Sequence, residues 1–291
     1  MTAALTPRML NLGCGHRFHP AWVNVDIVPR HPDVIRCDLS QGIPFSDQHF
    51  DVVYHSHMLE HIRRADVPAF LRDCYRVLRP GGILRAATPD LERLCELYLQ
   101  KLRCAAVDRR AAEDLEWLVI EMYDQTVREQ SGGDMLGYLR QEPLPNEAFV
   151  LERIGQEGRE LLALIRAPAS PEPPVPPAGL ARRIIRGVRR RGRQLPARVR
   201  EALVKSWYGD DALQAMSIGR FRLSGEVHQW MYDRVSLSRA LSAAGFTDPT
   251  VRTATESAIP GWSEFRLDST PAGDVTKPDS FFMEARKSAR P

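Results

Sequence analysis

Short apolar runs rich in β-branched residues recur over the first hundred residues of the chain, and helix-patterned stretches separate some of them. Apolar positions at spacings of three and four between Val67 and Leu78 predict an amphipathic helix. Strands alternating with helices are typical of a parallel sheet in an α/β fold. The predicted strands are residues 10–12, 23–26, 34–38, 50–54 and 83–87.

The connection between the first two predicted strands is unusually short. Only a few residues separate Gly15 from Val23, and Pro20 lies among them. A parallel crossover with a full helix needs about a dozen residues or more. We therefore expect an irregular loop there.

The pattern changes twice in the second half of the chain. Residues 90–166 have helical spacing, broken by the glycines at 132 and 133, and six prolines follow within residues 168–177. Globular patterning returns near Gly225, with a helix after Asp233 that ends at Gly245. Two more strands are predicted at 250–254 and 280–285. The predicted organisation is a core of residues 1–94 and 225–291, a helical insertion at 95–167, a proline-rich linker and basic arm at 168–205, and a connection at 206–224.

Composition places the chain among ordinary globular proteins. Hydrophobic residues make up 43% and charged residues 26% of the 291 positions. No apolar run reaches the roughly 18 residues of a membrane-spanning helix, and the first residues lack a secretory signal pattern, so we expect a cytoplasmic protein. The five cysteines form no Cys-x-x-Cys pair, which predicts reduced, mostly buried thiols.

Positive charge is concentrated in one segment. Residues 180–205 contain nine arginines and one lysine against the single acid Glu201, a balance of +9 in a chain of net charge +3. Apolar residues interleave with the arginines, so a basic amphipathic helix is one prediction, with Gly192 and Pro196 weakening it. Such a helix binds an anionic membrane surface or another polyanion. A solvated arm without a partner is the alternative.

Two features at strand ends indicate a ligand. The first strand ends in the turn Gly13-Cys14-Gly15, and the second closes on the carboxylate of Asp26. Glycine lets a backbone approach a ligand closely, and a carboxylate at the end of the next strand can accept hydrogen bonds from both hydroxyls of a ribose. Together they predict a nucleoside-containing cofactor, although a tight turn without a ligand uses the same glycines.

The order and spacing of several segments resemble a known family. The chain is similar to class I S-adenosylmethionine-dependent methyltransferases, in the broad group with a type 11 methyltransferase domain. The likeness covers the first eighty or so residues, resumes near Gly225, and leaves residues 95–224 outside. The segments that carry it are Leu10-Asn11-Leu12-Gly13-Cys14-Gly15, Asp26, Cys37-Asp38-Leu39, Phe50-Asp51-Val52-Val53-Tyr54, Leu59-Glu60-His61 and Arg76-Val77-Leu78-Arg79-Pro80-Gly81-Gly82.

The resemblance implies a Rossmann-like, mostly parallel seven-stranded sheet with an antiparallel last strand. It implies S-adenosylmethionine as cofactor, S-adenosylhomocysteine as product, and no metal. Two positions depart from the family pattern: Asn11 stands where an acid is usual, and Arg17 where a third glycine is usual. The cofactor-binding residues implied are Asn11, Gly13, Cys14, Gly15, Asp26, Asp38, Leu39, His55 and Ser56.

Three side chains are candidate proton acceptors. His55 follows the fourth strand, His228 precedes the last helix, and Asp90 follows the fifth strand. Histidine titrates near neutral pH, which suits a general base. Structural histidines and a helix-capping aspartate are the alternatives. The spacing of His55, His57 and His61 also raises a metal site, which the resemblance does not support.

Aromatic residues near the last helix suggest a substrate wall. Trp230, Tyr232 and Trp262 could flank an acceptor, or pack in the core as aromatic residues commonly do. The predicted reaction is O-methylation of a small-molecule, glycan or natural-product acceptor. N-methylation and a non-catalytic cofactor-binding scaffold are the alternatives. A nucleic-acid substrate is disfavoured because no Asn/Asp-Pro-Pro-aromatic motif follows the fourth strand, and the sequence leaves the oligomeric state open.

Overall fold

The computed structural model describes residues 7–167 and 197–289. The proline-rich linker and most of the basic arm therefore lie outside the described residues. Among the described residues, no helix combines the length and the apolar character needed to cross a bilayer.

A single seven-stranded sheet forms the centre of the described chain, with strand order β3-β2-β1-β4-β5-β7-β6. Strand β7 runs antiparallel to both of its neighbours, and the other pairs are parallel. This confirms the predicted mostly parallel sheet with an antiparallel last strand. The strands are β1 (Met9–Leu12), β2 (Val23–Asp26), β3 (Val34–Arg36), β4 (Phe50–Ser56), β5 (Leu78–Pro89), β6 (Phe246–Arg252) and β7 (Ser280–Lys287).

Eight helices accompany the sheet in the described residues. Helices α2 to α5 occupy the stretch that includes the predicted insertion at 95–167, and several of them share a core around the buried Trp117. Helix α6 begins in the predicted basic arm and runs through most of the predicted connection at 206–224, with non-helical backbone at Gly209. The helices are α1 (Val67–Val77), α2 (Leu91–Cys104), α3 (Arg109–Val127), α4 (Gly133–Leu139), α5 (Glu147–Arg166), α6 (Ala197–Arg222), α7 (Arg234–Ala243) and α8 (Trp262–Phe265).

Side chains alternate between the two faces of the sheet, and different parts of the chain cover each face. Helices α1 and α7 pack on the face that includes Val53. The opposite face, which includes Tyr54, is covered by Trp262 and its neighbours in the segment between β6 and β7. This coverage accounts for the missing crossover helix between β1 and β2, where the predicted irregular loop is confirmed.

Several local signals matched the structure and others did not. Asp233 and Ser236 form a reciprocal capping box at the start of α7, as expected for a helix beginning there. Asp66 makes no capping bond to α1, and its carboxylate pairs with Arg63 instead. Strand β5 begins at Leu78 rather than at residue 83, and β6 begins four residues before the predicted 250.

The direction of chain connections reverses between β1 and β4. Strand β1 pairs with β2 on one side and with β4 on the other, and Leu12 is level with both Val25 and His55. Ligands of open α/β sheets bind beyond the carboxyl ends of the strands at such a reversal. The glycine turn after β1 lies at this point.

Candidate cofactor and acceptor site

The turn after β1 requires glycine at two positions. Gly13 and Gly15 have φ angles of 63° and 55°, which side chains rarely adopt. A Cβ atom on Gly13 would also lie 2.9 Å from Cγ of Met58. The main-chain nitrogen of Gly15 donates a hydrogen bond to Oδ2 of Asp26 over 2.8 Å. The turn and the carboxylate at the end of β2 therefore form one unit.

Asp26 retains capacity for a ligand. Its Oδ1 accepts one hydrogen bond, from the main-chain nitrogen of Val28 at 2.8 Å, and Oδ2 accepts the one from Gly15. An ionised carboxylate offers about four acceptor positions, and this side chain is half-buried at the strand end. The arrangement fits the two hydroxyls of a ribose.

Asp38 and Leu39 follow β3 at the same edge of the sheet. The Asp38 carboxylate is exposed, and its Oδ1 caps a short 3-10 helix by accepting from the main chain and hydroxyl of Ser40. Leu39 is half-buried against the core. Their predicted contacts with the cofactor stay predictions.

The two departures from the family pattern have structural explanations. Asn11 is 1% exposed, and its amide donates to the carbonyl of Arg17 and to Oδ1 of Asn24, both over 3.1 Å. This holds the turn to β2 from inside the sheet. The guanidinium of Arg17 pairs with Glu157 of α5 at 3.2 Å, so the position usually held by glycine links the turn to the insertion.

Cys14 has a protected thiol. Its main-chain nitrogen donates to the carbonyl of Val25 over 3.1 Å, and the side chain is buried. Burial, aided by the negative charge of Asp26, raises the thiol pKa to about 11. The thiol is therefore protonated at neutral pH, and Cys14 contributes to the turn through its backbone.

His55 lies deeper than a proton acceptor at the open edge would. Its ring is fully buried beside Phe70, with 5.7 Å between ring centroids, and neither ring nitrogen has a hydrogen-bond partner in the described chain. Burial lowers the pKa of this imidazole to about 4. Ser56 points to the opposite face of β4. Direct roles for both residues remain predictions.

A second group of polar side chains lies beyond the ends of β4 and β5. We call Glu60, His61 and His228 the His228 cluster. The two imidazole rings are 4.7 Å apart between centroids, and one ligand-type atom from each of the three residues lies within 4.8 Å of the others. The main-chain nitrogen of Gln229 donates to the carbonyl of Glu60 over 2.6 Å, which holds the segment around His228 against the end of β4.

Burial dominates the electrostatics of the His228 cluster. It raises the pKa of the Glu60 carboxyl to about 8 and lowers the pKa of His228 to about 3. The pKa of His61 is lowered too, and the carbonyls of Val227 and Gly225 partly offset that change. The His228 imidazole is therefore neutral near pH 7, with a ring-nitrogen lone pair available to a ligand and only weak basicity.

A small pocket adjoins the cluster. Asp90 lies in its wall and also caps α2, since its Oδ1 accepts from the main-chain nitrogen of Arg93 over 3.0 Å. Asp90 therefore both caps the helix and lines the pocket. Burial raises the pKa of its carboxyl. The lining residues are Pro89, Asp90, Leu94, Glu121, Gln125, His228, Met231 and Asp279.

His57 connects the cluster to β7. Its Nε2 lies 2.6 Å from the hydroxyl of Ser280, and its Nδ1 lies 3.3 Å from Oε1 of Glu60 without hydrogen-bond geometry. Burial lowers the pKa of His57 well below the usual value. The His57 ring therefore lies beside the buried carboxyl without forming a hydrogen bond to it.

The predicted aromatic wall is wrong as a single surface. Trp262 packs on one face of the sheet with Trp22, and its Nε1 donates to the carbonyl of Ala254. Tyr232 is buried on the other face. Trp230 is 39% exposed under the guanidinium of Arg64. The central sheet separates Trp262 from Tyr232.

Sequence reasoning missed part of the site. Glu60 was visible in the Leu-Glu-His segment but carried no assigned role. Glu121 and Asp279 come from the insertion and from the segment before β7, where no motif marked them. Glu121 forms a buried ion pair with Arg153 of α5. These residues meet only through the tertiary fold.

The comparisons with known proteins agree on one family. Residues 10–86 match the model of a methyltransferase domain. A ubiquinone biosynthesis O-methyltransferase of Parvibaculum lavamentivorans is 40% identical over 53 residues, which is 18% of this chain and 20% of that protein. Another from Rhizobium johnstonii is 26% identical over 145 residues, covering 42% of this chain and 54% of that protein. The chain thus spans about half, or less, of the length of these curated relatives.

A solved structure from Thermotoga maritima, described as a possible histamine N-methyltransferase, aligns with 97% of this chain and 83% of its own. The identity is 10% and the TM-score 0.37. The match over residues 10–86 and the observed strand order confirm the predicted resemblance to class I S-adenosylmethionine-dependent methyltransferases.

Proposed function

We propose that this protein transfers the methyl group of S-adenosylmethionine to an oxygen of a small-molecule or glycan acceptor and releases S-adenosylhomocysteine. The observation that carries the proposal is the hydrogen bond between Gly15 and Asp26 at the point where the strand order reverses. Because that bond joins a glycine turn to a carboxylate, the backbone and the acid can bind one nucleoside together.

Two neighbouring regions divide the work. Asp26 and the glycine turn stand at the ends of β2 and β1 and would hold the cofactor. The His228 cluster and Asp90 stand beyond β4 and β5, so the acceptor would enter from that side. The cofactor supplies an activated methyl on a sulfonium, and the protein contributes mainly by orienting the two reactants in line.

An oxygen acceptor must lose its proton as the methyl arrives. His228 and Asp90 both line the pocket. Burial lowers the pKa of His228 to about 3 and raises the pKa of Asp90, so Asp90 is the better proton acceptor of the two. General-base catalysis of this kind contributes about 10²–10⁴-fold. The curated relatives named O-methyltransferases support oxygen over nitrogen.

A transfer assay tests this function. Purified full-length chain is incubated with methyl-labelled S-adenosylmethionine and a panel of phenols, sugar alcohols and amines. We expect label in an oxygen-linked methyl ether, identified by mass spectrometry, and loss of transfer in Asp26→Ala. Asp33→Ala, an exposed acid in the next loop, is the matched control. Label found only on amines would contradict the proposed oxygen acceptor and identify nitrogen as the acceptor atom.

The basic arm supports a second, separate proposal of attachment to an anionic membrane surface. Helix α6 continues from the arginine-rich segment and exposes 77% of Trp207 and 73% of Tyr208. Aromatic residues beside basic ones are typical of interfacial helices. Sedimentation with phosphatidylglycerol vesicles is expected for the full chain, and weaker binding when the arginines at 189, 190, 191 and 193 become glutamine. Undiminished binding would contradict it.

A further inference from the structure

We infer that the His228 cluster is a binding site for one divalent transition-metal ion, with Glu60, His61 and His228 as the protein ligands. No motif spacing joins the three, since His228 lies far along the chain from the Glu60-His61 pair. The fold nevertheless brings one ligand-type atom from each to within 4.8 Å of the others.

Unpaired buried atoms carry the inference. Glu60 is fully buried, and neither of its carboxylate oxygens has a hydrogen-bond partner among the described residues. The Nδ1 atom of His61 is buried and unpartnered as well. Buried polar groups are nearly always paired, and leaving one unpaired costs about 1–3 kcal/mol. A bound cation would satisfy the orphaned atoms of both residues together.

The surroundings resemble the support that metal ligands require. A ligating histidine usually directs its other ring nitrogen to a carbonyl or carboxylate, and the carbonyls of Val227 and Gly225 face the ring of His61. The main-chain carbonyl of Glu60 accepts from Gln229, which fixes His228 beside it. His57 contacts Glu60 from the other side.

The donor set favours a transition metal. Two imidazoles and one carboxylate suit Zn²⁺, Co²⁺ or Fe²⁺, whereas Mg²⁺ and Ca²⁺ prefer all-oxygen sites. The pocket wall beside the cluster carries Asp90, Glu121 and Asp279. Lys277, whose positive charge acts on the cluster, pairs with Glu157 over a distance of 3.5 Å.

Three protein ligands leave coordination positions open. If the proposed function holds, an acceptor oxygen in the adjoining pocket could occupy one of them, and the cation would lower the pKa of that hydroxyl. His228 would then serve as a ligand, and Asp90 would remain as the proton acceptor. This consequence rests on the proposed function, whereas metal binding itself does not.

Cobalt binding tests the site directly. The full chain is stripped with a chelator and titrated with Co²⁺ by calorimetry and visible absorption, with no cofactor present. We expect one ion per chain, no thiolate-to-cobalt absorption band, and affinity at least about tenfold weaker in Glu60→Gln and His228→Gln. The control is His31→Gln, an exposed histidine, which should match the parent chain.

Two results would overturn the inference. One is the absence of stoichiometric binding by the parent chain. The other is equal affinity in the parent chain and both cluster variants, which would place the ion elsewhere. Because S-adenosylhomocysteine binding is measured separately on the same preparations, loss of the metal site and loss of the proposed function are distinguishable.

Discussion

Two buried polar groups, one on a face of the sheet and one beyond its strand ends, differ in how their hydrogen bonds are satisfied. On the face covered by the β6–β7 segment, Arg85 is fully buried between Asp268 and Glu284. At the ends of β4 and β5, the His228 cluster is nearly as buried but keeps orphaned oxygens and a free ring nitrogen. The first group therefore stabilises the fold, whereas the second keeps unpaired atoms that can bind a ligand.

The hydrogen-bond donors of the Arg85 group have acceptors within the group or on nearby carbonyls. Arg85 donates hydrogen bonds of 3.0 Å to the carboxylates of Asp268 and Glu284, and it also donates to the carbonyls of Thr253 and Glu256. Tyr54 donates to the second oxygen of Asp268. A fully satisfied network fixes the β6–β7 segment over the sheet. A similarly buried network with unpaired polar groups lowers the free energy of unfolding, and a ligand that pairs with those groups can offset the loss.

The largest expected effect follows from breaking the satisfied group. Arg85→Met leaves two buried carboxylates without their cation, and we expect the free energy of unfolding to fall by about 3–5 kcal/mol. Urea denaturation measures the change. Arg79→Met is the control, because this arginine of β5 pairs with Asp51 near the surface and should cost less than about 1 kcal/mol. Equal losses would remove the distinction between buried and exposed pairs.

Next in size is a catalytic effect in the unsatisfied group. His228→Gln removes either a proton acceptor or a ligand, and kcat is expected to fall by about 100-fold or more. Steady-state assays with an acceptor identified by the transfer assay measure it, and the melting temperature should change little. A variant with full activity would move the acceptor site away from this pocket.

A smaller change with the opposite sign is expected at Glu60. In chelator-treated protein, Glu60→Met replaces a buried, unpaired carboxyl with an apolar side chain of similar size. The free energy of unfolding should rise by about 1 kcal/mol. Urea titration in chelator checks this, and added Zn²⁺ should then stabilise the parent chain alone. Destabilisation by this variant would show that the carboxyl is satisfied.

The smallest expected effect concerns pH. Burial, with Glu121 nearby, raises the pKa of Asp279 to about 6 from a usual 3.8. A carboxyl with a raised folded-state pKa costs stability as pH rises through that interval. Between pH 4 and pH 7, the free energy of unfolding of Asp279→Asn should therefore rise by roughly 1 kcal/mol relative to that of the parent chain, after allowance for solvent screening. The same difference in the free energy of unfolding between variant and parent chain at both pH values would contradict this.

Local signals predicted much of the fold. The run ending at Gly13 and the acid at Asp26 marked the first two strands, and Pro20 with the short spacing predicted the loop between them. Asp233 marked the start of α7. These features depend on neighbours along the chain, so sequence alone reveals them.

The remainder depended on tertiary packing. Pairing of Glu60 with His228 arises from segments far apart in sequence, and no periodicity reports it. Trp262 carried no signal for the face it would cover, because the segment between β6 and β7 has little regular structure. Asn11 was expected to face the cofactor, yet its amide turns inward to Asn24.

One calorimetric titration tests the division between cofactor side and acceptor side most directly. S-adenosylhomocysteine is titrated into the parent chain, Asp26→Ala and His228→Gln. The account predicts saturable one-to-one binding by the parent chain, affinity weaker by about tenfold or more in Asp26→Ala, and unchanged affinity in His228→Gln. No binding by the parent chain, or equal affinity in the parent chain and Asp26→Ala, would contradict it.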